Sequence, residues 1–349
     1  MIKNFMPQFV DQNKTPDDGQ NLSGGGLRGK IQFSHSFDEI ISVENLLLAW
    51  QEFLKGKRKK ADVQEFSMHL MDNILALHHD LKERKYKHGG YHAFNISDPR
   101  PRNIHKAIVR DRLLHHAIYR KLYPFFNRIF VADSYSCRIG KGTYKALNRF
   151  LEFGRKVSRN NTKTCWVLKG DIRKFFANID HEVLMTILKK YISDEDIIWL
   201  LYEIIESFVP GLPLGNLTSQ LFVNIHMNEF DQFIKHKLNA KHYIRYADDF
   251  VIFSENKTWL EVLIPQIRDF LSDKLCLELH PDKLFIKTLA SGVDFLGWVH
   301  FPGHRVLRTT TRRRMIKRMS EKSKSETINS YFGLLRHGNT FKIKKRILP

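Results

Sequence analysis

The segment YIRYADDFVIF at residues 243–253 places two β-prone runs on either side of an acidic pair, Asp248 and Asp249. This pattern predicts a β-hairpin with Ala247, Asp248 and Asp249 at its turn. Adjacent aspartates repel each other and are poor strand formers, so the pair costs stability unless another charge compensates. We expect a divalent cation such as Mg²⁺, which prefers oxygen ligands, although Asp-Asp pairs are also common in surface turns.

A third acidic residue, Asp171, follows the apolar run CWVL at residues 165–168, which is predicted to be a buried strand. Asp180 is then predicted to cap the next helix. If the strand that ends at Asp171 neighbours the hairpin, the carboxylates of Asp171, Asp248 and Asp249 form one site. Such a site can hold two Mg²⁺ ions ~3.5–4 Å apart, which activate a hydroxyl group and stabilise a leaving phosphate.

The composition restricts the class of partner. The 349 residues include 57 Lys and Arg against 37 Asp and Glu, a formal charge of +20, while the 42% hydrophobic content excludes a disordered chain. This charge favours nucleic acid, with an anionic membrane surface as the alternative. No apolar run approaches the ~20 residues of a membrane span, and no secretory signal is evident. Three widely spaced cysteines fit neither disulfides nor a CxxC metal site, so we expect a cytoplasmic protein.

The distribution of polar, apolar and charged residues divides the chain into four predicted regions. Residues 1–30 are polar and glycine-rich and are predicted to be a flexible leader. Residues 31–90 are predicted to be an N-terminal helical region, because apolar residues recur at helical spacing on both sides of a basic turn at residues 55–60. Residues 91–300 mix short strands and helices. Residues 301–349 are predicted to be a basic helical module.

The last region carries much of the charge. Residues 301–349 contain 14 Lys and Arg against two acidic residues, which leaves +12 of the total of +20. Apolar residues between the charges predict small helices that grip a nucleic-acid backbone, and the alternative is a basic tail without a fold. The candidate nucleic-acid-binding residues are Arg312, Arg313, Arg314, Lys317 and Arg318.

The order of motifs resembles the reverse transcriptases. YADD at residues 246–249 matches their YxDD box, and DIRKFF at residues 171–176 resembles their first palm motif. The other similar segments lie at residues 97–102, 110–117, 133–143, 277–283 and 293–298. The resemblance implies an α+β fold, a right-hand polymerase with fingers and palm, built on an antiparallel sheet flanked by helices, and a small helical thumb.

The resemblance also implies roles for individual residues. Asp171, Asp248 and Asp249 are the expected catalytic ligands of two Mg²⁺ ions, and Phe176 is the expected block to a ribose 2′-hydroxyl. Arg100 and Arg102 resemble the fingers pair that contacts a deoxynucleoside triphosphate, a role suited to guanidinium groups, with template-backbone binding as the alternative. The remaining candidates for nucleotide binding are Leu214, Gly215, Gln220 and Lys283.

One segment distinguishes among reverse transcriptases. GLPLGNLTSQ at residues 211–220 has Leu214 and Gln220 where most of them carry the Gln and Pro of a QGxxxSP pattern. This variant resembles the enzymes of diversity-generating retroelements, which are related to group II intron-type bacterial reverse transcriptases. The resemblance implies error-prone, adenine-mutagenic cDNA synthesis from a template-repeat RNA, which diversifies a target gene. It further implies a small basic oligomeric accessory protein as a partner and a bacterial or phage-encoded origin.

Two other functions stay open. A defence-associated bacterial reverse transcriptase that acts against phage carries related motifs. An inactive palm that serves as an RNA-binding scaffold is the alternative of another class, but a scaffold has no need for three mutually repelling acidic residues.

Overall fold

The structure is a computed structural model that describes residues 31–97, 101–320, 325–341, 343 and 345. The predicted leader, residues 1–30, and the candidate Arg100 lie outside the described residues. Within the described part, no helix combines the length and the apolar character needed to cross a membrane.

The chain alternates helices with short strands, as the sequence predicts for a mixed α+β fold. The helices are α1 (Phe37–Ile41), α2 (Val43–Phe53), α3 (Ala61–Met68), α4 (Leu70–Lys82), α5 (Val109–Ile129), α6 (Thr143–Val157), α7 (His181–Lys189), α8 (Glu195–Ile205), α9 (Leu217–Gln232), α10 (Lys257–Leu275), α11 (Thr309–Ser320) and α12 (Ser325–Leu335). The strands are β1 (Tyr91–Ile96), β2 (Arg102–Ala107), β3 (Trp166–Asp171), β4 (Tyr243–Tyr246), β5 (Asp249–Ser254), β6 (Phe285–Thr288), β7 (Val293–Phe295), β8 (Trp298–Phe301) and β9 (His304–Leu307).

The described residues divide into two compact units. Those within Phe130–Phe175 and Met227–Pro349 form the first unit, and those within Ile2–Ile129 and Phe176–His226 form the second. The chain leaves the first unit after Phe175, within the DIRKFF segment, and returns to it at Met227, within α9.

An antiparallel four-stranded sheet lies at the centre of the first unit, in the strand order β4-β5-β3-β6. β3 pairs with β5 on one side and β6 on the other, and its residues Val167 and Leu168 are fully buried. The predicted hairpin is confirmed, because β4 and β5 pair antiparallel, but Asp249 is the first residue of β5 and only Ala247 and Asp248 form the turn. This sheet places the acidic residues at the end of its central strands.

Helices and the C-terminal segment share one apolar core with this sheet. Phe150 of α6 contacts Phe253 of β5, with 4.7 Å between ring centroids, and stacks on Phe295 of β7. Met315 of α11 and Leu335 of α12 are fully buried in the same core. The described part of the basic C-terminal region is therefore folded, and the alternative of a tail without a fold is wrong. Its first residues pair as the β8–β9 hairpin rather than forming a helix.

The second unit contains the predicted N-terminal helices and the β1–β2 hairpin. α2 packs against α5, where the fully buried Phe53 of α2 meets the His116 ring of α5 with 5.6 Å between ring centroids. The predicted second helix of the N-terminal region is interrupted at His69, between α3 and α4. There the Asn73 side chain donates a hydrogen bond to the Phe66 carbonyl at 3.1 Å, which satisfies a backbone group freed by the break.

Gly170 leaves no space for a side chain beside the acidic end of β3. It pairs directly with Phe250 of β5, and a Cβ atom at this position would lie 2.3 Å from the Cζ atom of that ring. We expect Gly170→Ala to lower the free energy of unfolding by about 1–3 kcal/mol, because the ring must move within a packed core. Urea denaturation measures this loss. Gly90→Ala, where a Cβ meets nothing within 4 Å, is the control, and equal midpoints for the two variants would contradict the packing.

Candidate active site

Two neighbouring strands bring the three predicted aspartates to one end of the sheet. Asp171 is the last residue of β3 and stands directly opposite Asp249, the first residue of β5. Asp248 precedes Asp249 in the turn, and its carbonyl accepts a hydrogen bond from the Ile172 amide at 3.2 Å. The β-prone residues beside the aspartates form the strands, so the acidic residues lie at the ends of these strands, where backbone pairing stops.

The carboxylates repel one another in a partly dry environment. Burial, together with the negative charges of Asp249 and Asp171, raises the pKa of Asp248 from its ordinary 3.8 to about 6. Burial also raises the pKa of Asp249, and Asp171 adds to this effect. The site therefore favours any cation that can approach the three side chains.

Two lysines supply part of that positive charge. The Lys283 ammonium donates a hydrogen bond to Asp171 Oδ1 at 2.7 Å, and the buried Lys169 ammonium lies 3.3 Å from Asp249 Oδ1. Lys283 follows a backbone segment that is tied to β3, since the His280 amide donates to the Asp171 carbonyl at 2.7 Å. Lys283 is a predicted nucleotide-binding residue, and its ammonium group contacts Asp171, a candidate metal ligand.

The donor set suits a hard divalent cation. Three carboxylates offer only oxygen ligands, which Mg²⁺ prefers, and their mutual repulsion would be relieved by it. Among the residues that the structure describes, however, no group of three or more His, Cys, Asp or Glu side chains stands arranged to hold a metal. The Lys283 and Lys169 ammonium groups contact oxygens of Asp171 and Asp249 instead. The metal-binding role of the aspartates stays a prediction.

Other predicted nucleotide-binding residues belong to the second unit. Leu214 is half-buried, and its carbonyl accepts a hydrogen bond from the His105 amide of β2 at 2.9 Å. Gly215 has a φ of +116°, a conformation that glycine adopts easily, and a Cβ there would lie 2.7 Å from Ile104. Arg102 of β2 is exposed. Phe176, which follows β3, and Gln220 of α9 are half-buried.

The basic candidates lie together on α11 in the first unit. Arg312, Arg313 and Lys317 are exposed, whereas Arg314 and Arg318 are half-buried. The helix is anchored through its fully buried residue Met315. Its basic surface is thus held on the same folded core as the sheet.

Three charged residues near the aspartates were not predicted. Lys169 lies on β3 two residues before Asp171, and Arg245 of β4 forms a buried ion pair with Asp231 of α9. A lysine inside an otherwise apolar strand was the available signal for Lys169. The pairing of Arg245 with Asp231 depends on the tertiary fold and left no local signal.

Comparison with curated proteins finds distant relatives, some of which are intron-encoded proteins. The protein YkfC of Escherichia coli (strain K12) is 27% identical over 246 residues, which cover 58% of this chain and 62% of that protein. The group II intron-encoded protein LtrA of Lactococcus lactis subsp. cremoris is 24% identical over 300 residues, covering 64% of this chain and 47% of LtrA. The chain thus spans less than two thirds of the length of either relative.

Among solved structures, a telomerase from Candida albicans in complex with a fragment of telomeric RNA aligns with a TM-score of 0.48 and 11% identity, covering 68% of this chain and 51% of that one. The reverse transcriptase (RNA-dependent DNA polymerase) family matches residues 87–300, which include the three aspartates and both strands that carry them. Because this match spans more than half of the sequence, the chain belongs to the reverse transcriptase family.

Proposed function

We propose that the protein is an RNA-directed DNA polymerase with Asp171, Asp248 and Asp249 as its catalytic residues. The observation that carries the proposal is the direct pairing of Asp171 with Asp249 across β3 and β5, with Asp248 beside them in the turn. Membership in the reverse transcriptase family supports the same activity. Within this proposal, residues 91–300 form fingers and palm, residues 301–349 form the thumb, and residues 31–90 form a helical region before them.

The proposed reaction joins the 3′-hydroxyl oxygen of a primer to the α-phosphorus of a deoxynucleoside triphosphate and releases pyrophosphate. Two bound Mg²⁺ ions would supply the charge stabilisation for the attacking and leaving oxygens. The chain contributes the three carboxylates, held at fixed positions by the β3–β5 pairing. The ammonium groups of Lys283 and Lys169 neutralise part of the charge on the carboxylates. They therefore reduce the electrostatic repulsion among the carboxylates.

Primer extension on an RNA template tests the activity. We expect labelled primer to be extended in the presence of Mg²⁺ and the four deoxynucleoside triphosphates, and not in EDTA. RNA binding without any extension would support the alternative of an RNA-binding scaffold and would overturn the proposal.

We further propose that the cDNA is error-prone at template adenines, as in diversity-generating retroelements. The support is the segment at residues 211–220, in which Leu214 stands where a Gln is usual. A Gln side chain can hydrogen-bond an incoming nucleotide and penalise a misplaced one, whereas a Leu side chain cannot. The lost discrimination is on the order of one hydrogen bond, ~0.5–1.5 kcal/mol, or roughly tenfold at most.

Leu214→Gln is therefore expected to lower misincorporation opposite adenine by up to about tenfold. Sequencing of cDNA made from a mixed-base RNA template measures the substitution spectrum at each template base. Leu48→Gln changes a partly exposed leucine of α2 in the same chemical way and is the control. Identical spectra for Leu214→Gln and the unchanged protein would reject the role of Leu214.

The same sequencing separates the two polymerase functions. Substitutions concentrated opposite adenine support diversification of a target gene through a template-repeat RNA. A uniform, low error rate favours the defence-associated enzyme that acts against phage. The diversification proposal also includes a small basic oligomeric accessory protein and a bacterial or phage-encoded, cytoplasmic setting, and co-purification from a host that carries the neighbouring genes tests that partner.

A further inference from the structure

A buried ion pair lies immediately beside the turn that carries Asp248. Arg245 of β4 is 1% exposed and Asp231 of α9 is 0% exposed, so both charges are removed from water. Burying two charges carries a large desolvation cost, and such pairs are often no more stable than apolar residues of similar size. Stability alone therefore explains this pair poorly.

The carboxylate fixes the orientation of the guanidinium. Arg245 donates from Nε to Asp231 Oδ1 and from Nη2 to Asp231 Oδ2, both at 2.7 Å. The Tyr243 hydroxyl donates to the same Oδ1 at 2.6 Å. Two parallel hydrogen bonds hold the plane of the guanidinium, which a single contact would leave free to rotate.

The fixed guanidinium then reaches the turn itself. Arg245 Nη1 donates to the Ala247 carbonyl at 3.1 Å, and Nη2 also donates to Ser134 Oγ at 3.1 Å. Ala247 has a φ of +55°, a left-handed conformation that is unfavourable for a residue with a Cβ. Its carbonyl belongs to the peptide bond that joins it to Asp248. The guanidinium thus holds the backbone directly before the candidate catalytic residue.

The backbone of Arg245 is fixed on its other edge as well. Its amide donates to the Asp133 carbonyl, and its carbonyl accepts from the Tyr135 amide, both at 3.0 Å. The Arg245 side chain therefore contacts Ala247 from a backbone that is itself held in place.

We infer that Asp231 and Arg245 form a positioning pair that holds the Ala247–Asp248 peptide, and with it the Asp248 carboxylate, in the place that catalysis requires. Asp231 orients Arg245, and Arg245 holds the turn. The inference rests on the proposed polymerase function. It assigns a role in catalysis to two residues that are buried away from solvent.

Three variants separate positioning from stability. Arg245→Met with Asp231→Asn removes both charges together, which avoids an uncompensated buried charge. Arg245→Lys keeps the charge opposite Asp231, but one ammonium cannot reproduce the bidentate contact and the Ala247 contact together. Arg120→Met with Glu52→Gln is the control, because it also removes both charges of an ion pair, here a partly buried pair between α5 and α2.

We expect the double variant and Arg245→Lys to keep a melting temperature within a few degrees of the unchanged protein, while kcat falls about 10–100-fold, since small misplacements of reacting groups cost this much. The KM for deoxynucleotide and the Kd for primer–template are expected to change less than about twofold, because both residues are buried away from the surface that ligands reach. Mn²⁺ binding, titrated by electron paramagnetic resonance, is expected to weaken. The control, Arg120→Met with Glu52→Gln, is expected to lower the melting temperature and to keep kcat and Mn²⁺ binding.

Several results would overturn the inference: a folded double variant with unchanged kcat, an equal loss of kcat in the control with Arg120→Met and Glu52→Gln, or failure of every pair variant to fold, which would make the pair a folding determinant only. Absence of RNA-templated extension by the unchanged protein is a different result. It would reject the proposed function, while the melting temperatures and the Mn²⁺ titration would still report on the pair.

Discussion

Asp248→Asn is expected to lower the rate of RNA-templated primer extension by about 10³-fold or more. Asp248 lies in the turn between β4 and β5, beside the paired residues Asp171 of β3 and Asp249 of β5. A metal ion held by these carboxylates would stabilise the charge that develops in the transition state by several kcal/mol. Each 1.36 kcal/mol of lost stabilisation corresponds to a tenfold lower rate. Single-turnover extension of a labelled primer measures the loss, with primer–template affinity measured beside it.

The same substitution is expected to stabilise the fold when no metal is bound. Burial and the charges of Asp249 and Asp171 raise the pKa of Asp248 to about 6, so its ionised form opposes folding at neutral pH. A neutral amide removes this repulsion, and the melting temperature in EDTA should rise. Asp269→Asn, at an exposed position of α10, is the control for both measurements. Unchanged extension by Asp248→Asn would contradict the catalytic assignment.

Removing three arginines of α11 is expected to give the second largest effect. Arg312→Ala, Arg313→Ala and Arg314→Ala together should weaken primer–template binding about tenfold or more at moderate salt. Each lost phosphate contact also lowers the slope of log affinity against log salt by about 0.9, so a decrease of about 2 to 3 is expected. Fluorescence anisotropy across a series of salt concentrations measures both quantities.

A second triple variant with the same change in net charge distinguishes a dedicated binding surface on α11 from the effect of the overall positive charge. Lys257→Ala, Arg268→Ala and Lys274→Ala remove the same charge from α10. If α11 grips the duplex, the control should lose much less affinity and keep its slope. An equal loss in both proteins would show that the net charge acts without a dedicated surface. Mn²⁺ binding at the aspartates should not change in either protein.

The acidic end of the sheet could be predicted because its signals are local. Period-two apolar runs on both sides of Asp248 and Asp249 predict a hairpin, and the run before Asp171 predicts a buried strand. The side chain of Asp180 caps α7 by accepting from the Val183 amide at 2.9 Å, as its type and position indicate. Each of these features depends on residues within about one element.

The remaining features depend on contacts between distant parts of the chain. Asp231 and Arg245 lie on different elements, and nothing in either segment shows that the two charges meet. The break at His69 falls inside a continuous helical pattern, and the β8–β9 hairpin extends into a region whose composition favours helices. Tertiary packing determines these outcomes, so local periodicity could not predict them.

RNA-templated primer extension by the unchanged protein tests the central claim most directly. With a defined RNA template, a labelled DNA primer, the four deoxynucleoside triphosphates and Mg²⁺, we expect cDNA whose sequence follows the template, and no product in EDTA. Extension that is absent, or that persists unchanged when Asp171, Asp248 and Asp249 are all replaced by Asn, would contradict the account.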